Sequence, residues 1–425
     1  MRTILIFAAI IVCYSANLNG QRSFYSFDNK SYEYFQRGDY KNLRKTADSM
    51  LSQGIDYYYL RIRLGILEYN KQLYSRAFTD FKKALDFNSM DTISREYMYF
   101  SYLLSGRNHD ADLYISSLTD GQKNHALRRL ESSGDQTTVF IGSSVTGYNV
   151  TLYNTNRLQY ESVKSSYSFG AGLESNLTKH LKVTIAYTNY GKNGTAYSAL
   201  DSTGTNLSYN QNQVYAKITG FVSSGWEASA FGDFNIFSER IPVRRPGYDG
   251  YLNSTGTEYL GGIGVSGNGW KIRSGLSISL SNFANSNQFR GEGYLTFLPF
   301  GNLRFYMTLG GMFQNDIHWG DTYQYNGEIG LKLLKNIWFE SGIVKGNSFL
   351  YARNQGYSVN NSYLIPANVI YCNLILLPGK HLGITLTPYY ADNQSYSWNL
   401  TSYYRVDRIT DSSFGCAIKL TYKIK

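Results

Sequence analysis

The residues best suited to catalysis or metal binding in these 425 positions are few, and their spacing supports little chemistry. The histidines are His109, His125, His180, His318 and His381, and no cluster of Cys and His at metal-ligand spacing accompanies them. Cys13 follows Val12, where lipid attachment to a cysteine calls for a small residue, and Cys372 and Cys416 are too far apart in sequence to argue for a disulfide. A hydrolase would have to be built on His318, which stands beside Asp316 and Asp321, with a loop serine or aspartate brought to it in space. The residues therefore name no catalytic group, no metal ligand and no cofactor.

Charge is more informative. The formal net charge is +10, and Arg240, Arg244 and Arg245 cluster with Pro242 and Pro246 near Tyr248 and Tyr251. Guanidinium groups present paired donors to phosphate and carboxylate, so stretch 239–256 is a candidate anion-binding loop. A second set of charges falls at alternate positions of alternating segments. Its bases are Lys164, Lys182, Lys217, Lys271, Arg273, Arg290, Arg304, Lys332, Lys419 and Lys423; its acids are Glu174, Glu227, Asp233, Glu292, Glu328 and Glu340.

The elements that position these charges are strands. From Asp135 onward polar and apolar residues alternate, as in Trp270–Leu280, Leu181–Thr188, Leu303–Gly310 and Phe414–Ile424. A membrane-crossing strand needs roughly 9–11 residues whereas a soluble one has about 5–6, and the length of these runs favours the membrane. After residue 20 no apolar run is long enough for a membrane helix, so a membrane-spanning chain of this kind has to be a closed barrel. Tyr and Gly at 40 each, with Pro at 6, fit a barrel and also fit a secreted β-sandwich. Connection lengths decide between them. Short turns near Lys179-His180, Ser224-Gly225, 267–269, 299–301, 334–336 and 378–380 alternate with longer polar stretches at 150–162, 192–207, 239–256, 282–287, 314–321, 346–361 and 392–412. Outer-membrane barrels have short periplasmic turns and long external loops. The count gives about 14 strands, range 12–16, over 135–425, because 392–412 reads either as part of a long strand or as an extra hairpin. On this reading the alternating charges line the lumen, as a wet pore or as a ladder of ion pairs that fills it. Cys372 and Cys416 fall on the lipid face. The arginine loop faces outward, towards either an emerging anionic polymer or lipopolysaccharide phosphates, and nucleic acid is left out.

Residues 21–131 are different, with apolar residues at helical spacing and a period of 34 that places Gly38, Gln72 and Gly106 at equivalent turns. Ahead of them, Arg2 and the apolar run Ile4–Cys13 read as an export signal over 1–20, cleaved after Gly20. The middle unit resembles the tetratricopeptide repeat through Leu64, Gly65, Tyr74, Ala77, Phe81 and Ala84, and the flanking units keep Tyr34, Gly38 and Tyr40, and Tyr102, Gly106 and Ala111. Ser89 stands where the repeat usually ends in Pro. The resemblance implies a short helical solenoid whose concave face docks a partner, or a cap or spacer for the barrel.

A helical solenoid before a barrel resembles three arrangements: exopolysaccharide export porins, surface-lipoprotein assembly modulators, and YaiO-like repeat-bearing barrels. These resemblances imply an outer-membrane protein of a Gram-negative bacterium with its N-terminal domain in the periplasm. The expected function is an export or assembly channel whose repeats dock a periplasmic partner or cargo, polysaccharide or surface protein. The competing expectation is a self-plugged structural or binding barrel displaying loops 239–256 and 346–361, with the repeats tethering it to an envelope complex. The third is a barrel enzyme centred on His318, although barrel phospholipases place Ser and His together on one strand and no such pair occurs here.

Overall fold

The computed structural model describes residues 24–121, 123, 137–150, 160–198, 201–245, 248–283, 286–317, 320–347, 351–353, 355, 357–360, 365–379, 381–398 and 405–424. The leader 1–20 lies outside them, as do His125 and His318. The chain divides into a helical unit and a barrel unit.

The helical unit contains α1 (residues 24–36), α2 (Tyr40–Ser52), α3 (Tyr58–Asn70), α4 (Tyr74–Phe87), α5 (Thr92–Leu104) and α6 (Asn108–Ser116). The 34-residue period corresponds to a repeated backbone event. Gly38, Gln72 and Gly106 all adopt positive φ, at 68°, 62° and 79°, and each ends the first helix of a pair. Glycine takes that conformation without strain, which accounts for two of the three. Side-chain caps start other helices: the Asp39 carboxylate accepts from the Asn42 N–H ahead of α2, and Asp91 accepts from Ile93 and Ser94 ahead of α5. The core is built where small residues let helices approach. Ala47, Met50, Leu60 and Leu64 form one buried cluster, and Ala77, Phe81 and Met98 another. Charges inside this unit are paired: Arg61 binds Asp80 at 2.6 Å and Asp56 at 2.7 Å, and Arg44 binds Glu68 at 2.7 Å.

The barrel unit is a closed antiparallel barrel of 14 strands. They are β1 (Thr137–Val150), β2 (Tyr160–Thr178), β3 (Leu181–Ser198), β4 (Asp201–Ser223), β5 (Trp226–Arg245), β6 (Tyr248–Asn268), β7 (Ile272–Phe283), β8 (Ser286–Phe297), β9 (Phe305–Asp316), β10 (Gly320–Leu334), β11 (Ile337–Gly346), β14 (Ile365–Leu376), β15 (Leu382–Trp398) and β16 (Arg405–Ile424). Two short strands, β12 (Tyr351–Arg353) and β13 (Ser358–Asn360), form a separate hairpin in the β11–β14 connection. Neighbours in sequence pair throughout the barrel, and β1 closes on β16 from Thr137↔Ile424 to Val150↔Asp411.

Several stretches expected as loops are strand. Residues 192–198 and 201–207 belong to β3 and β4, and 239–245 and 248–256 to β5 and β6. Apolar alternation marks where a strand leaves the apolar layer, not where it ends, because Tyr, Thr, Asn and Ser also pair in a ladder beyond that layer. The same holds at 392–412, where Tyr396 and Trp398 continue β15 rather than adding a hairpin.

The register assigns every strand residue to one of two faces. Outward positions carry an apolar band, including Leu276, Ile278, Leu280 and Leu309, all exposed. Aromatic pairs border it at a constant interval: Trp226 and Phe234, Phe289 and Phe297, Phe305 and Phe313, Phe414 and Tyr422. Eight residues of extended chain span about 27 Å, the size of an apolar layer crossed by a tilted strand.

Inward positions account for part of the Tyr and Gly content. Phe140 lies opposite Gly172, Phe231 opposite Gly262, Tyr294 opposite Gly275, Tyr306 opposite Gly330, Tyr371 opposite Gly342 and Tyr389 opposite Gly415. In each pair the ring lies over the glycine, where an added Cβ would fall less than 3.0 Å from ring atoms. Rings laid over glycines keep strands close and register fixed.

Candidate functional site

The β11–β14 connection folds into the lumen. Gln355, at φ 58°, and Tyr357 sit between β12 and β13. The Gln355 Oε1 accepts from Lys217 Nζ at 2.5 Å, its backbone N–H donates to Glu292 Oε2 at 3.3 Å, and its Nε2 donates to Ser229 Oγ at 3.5 Å. Gln213 Nε2 donates to the Tyr357 carbonyl at 3.2 Å. Gly264 leaves room for the arriving amide, since a Cβ there would fall within 3.0 Å of Gln355 Nε2. The Tyr357 ring meets Phe140 and Tyr215 edge-on, with centroids 6.0 and 5.4 Å apart. Those two rings belong to an inward-facing apolar cluster with Ala186, Phe231, Leu260 and Phe283.

Farther from the short connections the wall is filled by its own polar side chains. Tyr209 donates to Gln211 at 2.8 Å, Gln211 to Asn235 at 3.1 Å, and Gln213 to Asp233. Asp316 accepts from Ser286 at 2.5 Å and Gln288 at 2.8 Å, and Arg290 donates to Gln314 at 3.4 Å. Buried groups joined this way hold one another in place. Amides and hydroxyls thus make up much of this part of the wall among the described residues, and Lys182 and Glu174 pair at 3.4 Å. Alongside the inserted loop lies a cavity of about 700 Å³ whose lining includes Lys217, Glu227, Ser229, Glu292, Glu328, Tyr371 and Gln355. On the same wall Tyr306 donates to Glu340, and Asn373 donates to Glu340 at 2.7 Å while accepting from Thr387 at 2.8 Å.

The residues singled out from sequence fall into separate groups. Lys182, Arg273, Arg290, Glu292, Glu328 and Lys332 occupy inward register positions. Lys271 and Arg304 do not belong to the wall: they are exposed residues of the short connections before β7 and β9, where the alternation was extended past the strand ends. Arg240 is exposed on the outward face of β5, not in a loop. Arg244 and Arg245 lie at the end of β5, in register with Asp249 and Tyr248, and their side chains lie outside the described residues. Leu64, Tyr74, Ala77, Phe81 and Ala84 are buried in the helical unit, and Gly65 packs against Phe81. Cys372 and Cys416 take outward positions. Among the described residues no group of three His, Cys, Asp or Glu is placed to hold a metal.

Gln355 and Tyr357 were not singled out. The available signal was apolar: Phe140, Tyr215, Phe231, Leu260 and Phe283 sit at inward parity, where a water-filled lumen has no use for them.

Fold and site together define a closed antiparallel barrel of membrane-spanning proportions, with the β11–β14 connection inserted in its lumen. The sequence matches no protein-family model and no curated protein. Solved structures similar to it include the toluene transporter TodX of Pseudomonas putida, at 8% identity and TM-score 0.47, covering 70% of this chain and 92% of that one. The toluene transporter TbuX of Ralstonia pickettii also matches at 8% identity and TM-score 0.47, covering 69% and 90%. A FadL homologue of Pseudomonas aeruginosa matches at 8% identity and TM-score 0.44, covering 68% and 89%.

Proposed function

We propose that the protein is an outer-membrane channel for export or assembly, closed at rest by its own inserted loop. The carrying observation is the seat of Gln355 and Tyr357 in the lumen, held by Lys217, Ser229, Glu292 and Gln213. The apolar outward band supports the membrane location, since closure is the way a sheet satisfies its edges in lipid. The strand β1 starts, and β16 ends, at the end with the short connections, which in such barrels faces the periplasm. The helices therefore precede the barrel on the periplasmic side. There the tetratricopeptide-like hairpins dock a partner or cargo, polysaccharide or surface protein, while lipopolysaccharide surrounds the opposite rim near Arg240.

Planar-bilayer conductance tests this. The intact protein stays closed, and the double variant Gln355→Gly, Tyr357→Gly opens. Removing residues 21–131 shows whether the helices bias the same gate. Closure in every form would favour a second reading, a self-plugged barrel that displays its long hairpins. The buried Gln211–Asn235 and Gln288–Asp316 networks speak for that alternative.

A further inference from the structure

The strand ends away from the short connections do not stop at one level. Register places Tyr259 beside Asn282, Asn282 beside Asn287, Gln288 beside Asp316 and Asp316 beside Gly320, so β7, β8, β9 and β10 end together in a low sill. β6 runs on past that sill to Tyr248, paired there with β5 alone among the described strands. One bond sets the parity of its free edge: the Asn268 N–H donates to the Gly225 carbonyl, on the β5 side. The β5–β6 register has no bulge, so even-numbered residues of β6 turn their N–H and C=O towards β5 and odd-numbered ones away from it. Asp249, Tyr251, Asn253, Thr255 and Thr257 therefore present a row of backbone donors and acceptors above the sill. The opposite edge of the same ribbon is blocked. Pro242, in register with Tyr251, holds a donor position facing β4 and has no N–H, and the β4–β5 ladder ends just before it, at Ser208↔Arg240. Natural sheets blunt exposed edges with proline, lysine or bulges, and 248–258 has none of these. The Phe237 ring lies over Gly256 and stacks on Tyr209 with centroids 6.0 Å apart, which holds the ribbon in shape.

We infer that the β6 edge at 249–257 takes up an extended segment of another polypeptide as an added strand. A row of backbone N–H and C=O groups is matched by another strand, whose own groups repeat at the same interval. A two-stranded ribbon is marginally stable alone, and a third strand completes it. A second copy in the same membrane does not fit. A two-fold axis along the membrane normal sets the two β6 strands parallel at equal height, so each N–H meets its own symmetry mate rather than a carbonyl. The occupant is therefore a different chain. That exclusion rests on the outer-membrane reading, whereas peptide binding is read without conductance and does not depend on a channel.

The test adds a fluorescein-labelled octapeptide of alternating threonine and valine to the full-length protein in lipid nanodiscs, read by anisotropy and by residue-resolved hydrogen exchange. The peptide binds and slows exchange at Tyr251, Asn253, Thr255 and Thr257. Leu252, Ser254 and Gly256, already bonded to β5, exchange as before. The fully N-methylated peptide does not bind. Thr255→Pro removes one free donor without touching the β5 ladder and weakens binding about tenfold. The methylated peptide needs no protein variant, so a folding defect in Thr255→Pro cannot imitate the pattern. No binding, equal binding of the methylated peptide, or protection confined to other segments overturns the inference. So does protection of the same odd-numbered amides before peptide is added, because the edge is then already covered by this chain or a second copy. Peptide binding without any conducting state in the open-loop variant would sink the channel reading and leave the edge. Conductance without peptide binding would do the reverse.

Discussion

Gly65 gives the sharpest test of how the helices pack. A Cβ built there lies less than 3.0 Å from three atoms of the Phe81 ring. Phe81 is fully buried and stacks on Tyr97 with centroids 4.9 Å apart at 15°, so the ring has little room to retreat. Two terms of opposite sign then compete in Gly65→Ala. Alanine gains about 1 kcal/mol over glycine in a helix interior. Forcing a methyl group into a packed contact costs about 1–3 kcal/mol, and so close an approach belongs in the upper half of that range. The net expectation is destabilisation by about 1–2 kcal/mol. In a Phe81→Ala background the obstructing ring atoms are gone, and Gly65→Ala should stabilise by about 1 kcal/mol. The cycle therefore shows coupling of about 2–3 kcal/mol between the two sites. Urea unfolding of the full-length protein in detergent, followed by the helical circular dichroism signal, measures all four forms. An equal effect of Gly65→Ala in both backgrounds refutes the packing argument.

Other expectations test different parts of the molecule. Ile278→Lys, in the middle of the outward band, should cost about 2–4 kcal/mol in vesicle refolding, and Ile424→Lys, at a strand end, about 0–1; equal costs would contradict the membrane placement. Arg61→Met should cost about 3–5 kcal/mol by leaving Asp80 buried without its partner, and adding Asp80→Leu should recover most of the loss in equilibrium unfolding. The backbone N–H and side-chain amide of Asn42 hold the Asp39 carboxyl below its ordinary 3.8. Its folded pKa is therefore depressed, so its stabilisation is present above pH 3.8 and fades as pH falls through the lower folded value. The stability gap between the protein and Asp39→Asn should close across that acid window and stay level above it.

Much of the barrel could be read because alternation is a backbone property. A strand turns successive side chains to opposite faces, so Leu276, Ile278 and Leu280 announced both the strand and its lipid side. Short turns are equally local, and Lys179-His180 and Ser224-Gly225 fall where their residue types put them. Strand ends were harder, because polarity marks where the apolar layer stops and pairing does not stop with it. In the helical unit the positive φ at Gly38 and Gly106 is written in the residue type, but at Gln72 only the 34-residue interval shows it. The ring-over-glycine pairs contribute to composition without being visible as a pattern, since Tyr306 and Gly330 are joined by register rather than by spacing.

The inserted loop was out of reach for a related reason. Its contacts come from residues far away along the chain, Lys217, Ser229 and Glu292 among them, and only barrel closure brings these strands around one point. What the sequence did hold was the other half of the seat, a set of inward aromatic and aliphatic side chains with no role in a wet pore. An apolar patch in an aqueous lumen gains by being covered, and Tyr357 covers it. The polar half of the latch adds four hydrogen bonds, each worth about 0.5–1.5 kcal/mol net because water competes for the same groups. Ordering the loop opposes both contributions. On the proposed channel reading, a ligand that opened such a latch from mostly closed to mostly open would need roughly 5.5 kcal/mol of differential binding.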